Sequence, residues 1–104
     1  MDKQDHKLEE SLGSNNKFSF RLYITGSAPR SILAVNNITE ICKAHLKDYE
    51  LQIIDLYKNP EIAKQAQIIA VPTLVRISPL PERRIIGDMS DTEKVLRYLE
   101  IIDI

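Results

Sequence analysis

The sequence predicts an α/β domain in the order β-α-β-α-β-β-α, built on a mixed four-stranded sheet. Three observations carry this. A period-two apolar segment is followed by a helically spaced apolar stripe and then by a second apolar run, which is the pattern of a βαβ unit. Two β-rich runs lie only four residues apart, too close for a helix between them, so they pair as an antiparallel hairpin. A capped apolar stripe then closes the chain as a last helix.

In the first strand Phe18, Phe20, Leu22 and Ile24 alternate with Ser19, Arg21, Tyr23 and Thr25, placing one set on a buried face. Gly26, Ser27 and Pro29 end it. Ala34, Val35, Ile38, Ile41, Cys42 and Leu46 then recur at helical spacing. Ser27 is read as the cap of this helix, and Pro29 is tolerated at its start because its missing N–H has no intrahelical partner. Leu51, Ile53, Ile54 and Leu56 form a nearly continuous apolar run, as expected of a strand covered on both faces.

Asn59-Pro60-Glu61 reads as cap, first-turn proline and first-turn acid of a short helix, with Ile62, Ala63, Ala66 and Ile69 along one face. Residues 73–78 and 83–86 form the hairpin around Pro79-Leu80-Pro81-Glu82. Ser90 with Glu93 reads as a capping box opening a helix on Val95, Leu96, Leu99 and Ile102. Residues 1–17 contain seven charges and a Gly13-Ser14-Asn15-Asn16 breaker run, and are expected to be a flexible tail before a domain spanning 18–104.

The chain has 104 residues, enough for one compact core without disulfides or a structural metal. Fourteen Lys and Arg face fifteen Asp and Glu, a balance that argues against nucleic acid or an anionic membrane as the main partner. One cysteine and two histidines offer no zinc spacing and no intrachain disulfide. No apolar run approaches membrane-span length and no signal peptide is visible, so a soluble, cytoplasmic protein is expected.

Few residues suggest chemistry. Ser27, at a helix start, could assist a thiol substrate such as glutathione, but a helix cap is the commoner role for such a serine. Cys42 lies well inside the helical stripe, away from the terminus that would activate it, and reads as core. His45 reads as structural or solvated. Glu61 and Glu93 fit helix starts and Asp55 ends a strand, so no acid/base pair emerges among them and Asp88. Three glycines form no phosphate-binding loop, so no nucleotide cofactor is expected. The strongest feature is charge: residues 76–84 carry Arg76, Arg83 and Arg84 against one Glu, while residues 88–104 carry five acids against two bases. With Lys58, the arginines are candidate docking residues for an acidic protein surface.

The element order, with a proline just before the third strand in Val71-Pro72-Thr73-Leu74, resembles the thioredoxin fold over about residues 18–102. That resemblance implies a cis bond at Pro72 facing the start of the first helix. Ser27-Ala28-Pro29-Arg30 stands where the Cys-x-x-Cys redox motif would align, and both sulfurs are missing. A narrower resemblance rests on four segments taken together: Leu22-Tyr23-Ile24-Thr25-Gly26 with Pro29, residues 54–60 (Ile-Asp-Leu-Tyr-Lys-Asn-Pro), the same Val71-Pro72-Thr73-Leu74 segment, and residues 83–90 (Arg-Arg-Ile-Ile-Gly-Asp-Met-Ser) followed by Glu93-Lys94-Val95-Leu96. Together they resemble the KaiB family of circadian clock proteins.

The KaiB resemblance implies a non-enzymatic adaptor that binds the ring ATPase KaiC, competes with a sensor kinase carrying a KaiB-like domain, and helps sequester KaiA. It implies a homo-oligomeric resting form, dimer or tetramer, and a metamorphic C-terminal half. Pro72, Gly87, Asp88, Ser27 and Pro29 are then structural, and Lys58, Arg83, Arg84 and Arg76 face the partner. The apolar run 68–77 and the β-branched stretch 99–104 fit a segment of ambiguous conformation. Three departures bear on this. Tyr98 stands where clock relatives have Gly, and Tyr98 with Glu100 is expected to favour the helical C-terminal form. Gln52 replaces a family Lys on the strand that holds KaiA. The N-terminal tail is longer and an acidic C-terminal tail is missing, as in a paralogue. The alternatives are a thioredoxin-fold stress-response binding module or a glutathione-type thiol enzyme acting through Ser27.

Overall fold

The computed structural model describes residues 17–101. The expected N-terminal tail, apart from Lys17, and the end of the β-branched stretch with Ile102 lie outside the described residues. β1 (Phe18–Ile24) pairs in parallel with β2 (Tyr49–Asp55), and α1 (Pro29–His45) connects them. After α2 (Pro60–Gln65), β3 (Thr73–Ser78) returns antiparallel to β1, and β4 (Arg83–Ile86) pairs antiparallel with β3. The sheet order is β2-β1-β3-β4, and α3 (Thr92–Tyr98) follows.

The period-two pattern divides the core between the two faces of the sheet. Phe20, Leu22 and Ile24 of β1 and Leu74 of β3 pack with Ala34, Ile38, Ile41 and Cys42 of α1 and with Val95 and Leu99 at α3. On the other face Tyr23 and Val75 pack with Leu56 and with Ile62, Ala63 and Ala66 along α2. Ile38, wholly buried, is the kind of position where truncation to Ala costs about 2–5 kcal/mol.

Five expectations are corrected. β2 is an edge strand, covered on both faces only in part: none of its residues is fully buried, and Ile53 is 43% exposed. The apolar run divides between the two faces, Leu51 against the α1 side and Ile54 with Leu56 against the α2 side, while the edge position leaves Ile53 open. Ser27 does not cap α1. The N-cap position falls on Ala28, whose carbonyl accepts the Ile32 N–H at 3.0 Å, leaving Ser27 one residue too early and exposed. Buried Ser31 instead accepts the Thr25 N–H at 3.1 Å. Ile69 leaves the face of α2 and is 90% exposed, because α2 ends four residues earlier.

The last helix starts at Asp91, not Ser90. Asp88 Oδ1 accepts the Ser90 N–H at 3.0 Å, which delays the helix, and Asp91 Oδ1 then accepts the Lys94 N–H at 3.2 Å. Glu93 is thereby one position short of the capping box. The helix also stops at Tyr98 rather than running on. Glu100 N–H bonds to Arg97 O at 3.2 Å and Ile101 N–H to Leu96 O at 2.9 Å, with Glu100 at φ 58, which is a Schellman ending. Tyr98 is helical as expected, but Glu100 terminates the helix instead of extending it.

Candidate functional site

The segments that carry the KaiB resemblance meet at one end of the sheet, where β1, β2 and β4 finish beside the start of α1. The Val71–Pro72 bond is cis, Pro72 is buried, and its carbonyl accepts the Gly87 N–H at 2.9 Å. Asp55 Oδ1 accepts both the Gly26 and the Tyr57 N–H at 2.9 Å, and these two bonds hold its carboxyl below the ordinary value of 3.8. Gly26 has φ 52, and a Cβ there would lie 2.9 Å from the Tyr57 ring, so the glycine serves both backbone conformation and close approach.

Asp88 closes the group. Its carbonyl accepts from Asn37 Nδ2 at 2.8 Å, which ties the loop to α1. Its carboxyl is lowered by hydrogen bonds from the Ser90 side chain and backbone, with a smaller contribution from the Arg30 charge. Pro29 opens α1 as expected, and Ser27, Pro29 and Arg30 are exposed. The site thus has the thioredoxin frame without its chemistry at positions 27 and 30. Cys42, the one cysteine, is buried in α1, and desolvation pushes its thiol up to about 12. Among the described residues no three His, Cys, Asp or Glu side chains gather as metal ligands.

The basic residues do not form one patch. Arg76 is corrected from a docking residue to a buried one. It is fully buried, donating from Nη1 to Leu99 O at 2.5 Å and from Nη2 to Pro81 O at 2.7 Å. Neighbouring Arg83 and Arg84 point to opposite faces of β4 by strand alternation. Arg83 lies 3.6 Å from the Glu100 carboxylate and over the Tyr98 ring at 5.5 Å. Arg84 donates to Ala66 O at 2.8 Å and Gln67 O at 3.0 Å, satisfying carbonyls at the end of α2, and pairs with Glu82 at 3.2 Å. Lys58 is exposed in the turn after β2, across β1 and β3 from the two arginines.

What sequence reasoning missed is the counter-ion role of Glu100, singled out in the sequence only for helix balance: its carboxylate lies within ion-pair distance of both Arg76 and Arg83. The four-residue connection alone gives no such signal, since it would pair Ser78 with Arg83; the observed register leaves six residues between the paired Arg76 and Arg83, and two like charges in register call for a counter-ion. The sequence does not say which acid answers.

The KaiB domain matches residues 21–101. The chain is 41% identical over 92 residues to the circadian clock oscillator protein KaiB of Prochlorococcus marinus (strain NATL2A), covering 88% of this chain and 86% of that protein. It is 48% identical over 88 residues to the circadian clock protein KaiB3 of Synechocystis, covering 84% and 86%. Among solved structures, chloroplastic thioredoxin z superposes with a TM-score of 0.69 at 17% identity, covering 92% of this chain and 88% of that one. The N-terminal domain of Synechococcus elongatus SasA superposes with a TM-score of 0.65 at 21% identity, covering 81% and 84%. These structural likenesses show a thioredoxin-like fold, and the sequence matches show that the chain belongs to the KaiB family.

Proposed function

We propose that this protein is a cytoplasmic, non-enzymatic clock adaptor that docks on a KaiC-like ring ATPase, with KaiA-like proteins or sensor kinases as further partners or competitors. The observation that carries the reading is KaiB membership together with a fold that superposes on the SasA N-terminal domain. The composition of the helix start supports it. Ser27 and Arg30 stand where a thioredoxin places its thiols, and the remaining thiol is buried and raised. Lys58, Arg83 and Arg84 are the proposed contacts, whereas buried Arg76 is not one of them.

The test mixes the purified protein with the KaiC-like ATPase of its source organism, with ATP, and reads ring-sized complex by size-exclusion chromatography with light scattering. A stoichiometric complex is expected, weakened at low salt by Lys58→Glu, because steering by exposed charges is strongest there. Lys58 is the cleanest probe since its turn carries no other basic side chain in a structural bond. No complex over several hours would overturn the reading.

A further inference from the structure

The β3–β4 register sets Arg76 directly opposite Arg83, on the face that α3 covers. Like charges in that position repel. One carboxylate answers both: Glu100 Oε1 lies 3.4 Å from Arg76 Nη1 and Oε2 lies 3.6 Å from Arg83 Nη2. The Nε atoms of both arginines are buried without an acceptor, so the cluster is short of negative groups. Glu100 occupies the left-handed position of a helix ending, at φ 58, where glycine is favoured. A glutamate there has an unfavourable backbone conformation, and its carboxylate is what the position gains.

The three side chains differ in access. Arg76 is sealed, whereas the side chain of Arg83 is 32% exposed and that of Glu100 is 55% exposed. A carboxylate arriving from solvent can therefore reach Arg83 only in competition with Glu100. Once Glu100 is displaced, the turn at Leu99–Ile101 keeps its left-handed residue and loses the charge that compensated for it.

We propose that Glu100 is a displaceable internal counter-ion: a carboxylate-bearing protein surface that engages Arg83 releases it and loosens the turn at 99–101. By linkage, any change that loosens the turn strengthens acid binding at Arg83. The inference deepens the docking reading by naming the chemistry at Arg83, yet its test uses no ring ATPase, so failure of one is separate from failure of the other.

Amide hydrogen exchange of the full chain is measured by NMR at the Leu99 and Ile101 N–H groups, which bond to Val95 O and Leu96 O at 2.9 Å. At low salt Glu100→Gln is expected to exchange these two amides about fivefold faster, the scale of an exposed ion pair, with β1 amides unchanged. Raising salt to about 0.5 M should bring the wild type to the same rate. A hexaglutamate peptide should accelerate exchange in the wild type and not in Arg83→Met. Equal exchange in Glu100→Gln and wild type at low salt, no response of the wild type to the peptide, or an equal response in Arg83→Met would each overturn the proposal.

Discussion

Replacing Arg76 with Met removes the guanidinium while keeping an unbranched apolar stem, and it probes the most buried charge in the fold. Two hydrogen bonds to backbone carbonyls are lost, from Nη1 to Leu99 O at 2.5 Å and from Nη2 to Pro81 O at 2.7 Å, together with a long, solvent-open one from Nη1 to Glu100 Oε1 at 3.4 Å that adds little. Hydrogen bonds from a charged donor contribute about 1.5–3 kcal/mol each, so their gross loss is roughly 3–6 kcal/mol. Against that, the variant no longer buries a charge whose Nε lacks an acceptor, which returns about 1–3 kcal/mol. Pro81 is exposed, so its carbonyl regains water, whereas Leu99 is fully buried. At the middle of both ranges the net cost is about 2–3 kcal/mol, a large share of the roughly 5–15 kcal/mol that stabilises a domain. In urea, with a slope of about 1 kcal/mol per molar, the midpoint should fall by about 2–3 M. Circular dichroism across a urea titration reads it. A shift below about 0.5 M at an unchanged slope would refute the claim that Arg76 ties the end of α3 to the hairpin.

Two further outcomes are expected. Asp55 and Asp88 both have carboxyls held below 3.8 in the folded state, mainly by backbone N–H bonds at Asp55 and by Ser90 at Asp88. Depressed folded values mean stability that is fully present above the unfolded carboxylate range and lost as pH falls through the folded values. Thermal midpoints should therefore decline below about pH 4, and Asp55→Asn with Asp88→Asn should flatten that acid limb; an unchanged limb would remove these carboxyls from the acid response. The Cys42 thiol, pushed up to about 12 by burial, should be silent to a disulfide reagent near pH 8 in the native protein and react fully in guanidinium. Fast native labelling would show that α1 opens near its C-terminal end.

The legible part of the site was its frame. The KaiB resemblance implies structural roles for Pro72, Gly87, Asp88, Ser27 and Pro29, and these residues lie at one end of the sheet, where the carbonyl of cis Pro72 accepts from Gly87 and that of Asp88 accepts from Asn37 of α1. Helix boundaries were less legible. Asp88, Ser90 and Asp91 are all competent to cap, and the choice among them depends on which carboxylate the local turn has already engaged. The ending at Glu100 carries no glycine signal at all, since a non-glycine residue holds the left-handed position.

By itself the sequence determined the element order, the division of apolar residues between two faces and the family, because periodicity and short motifs are local properties of the chain. Only the tertiary structure decided that β2 lies at an edge, that Arg76 is sealed while Arg83 and Arg84 face apart, and that Glu100 serves two arginines. Those outcomes depend on strand order, hairpin register and the place where the last helix turns back, which bring together residues up to 61 positions apart. The value of a charge is set by its burial and its neighbours, and neither is written in the residue's own identity.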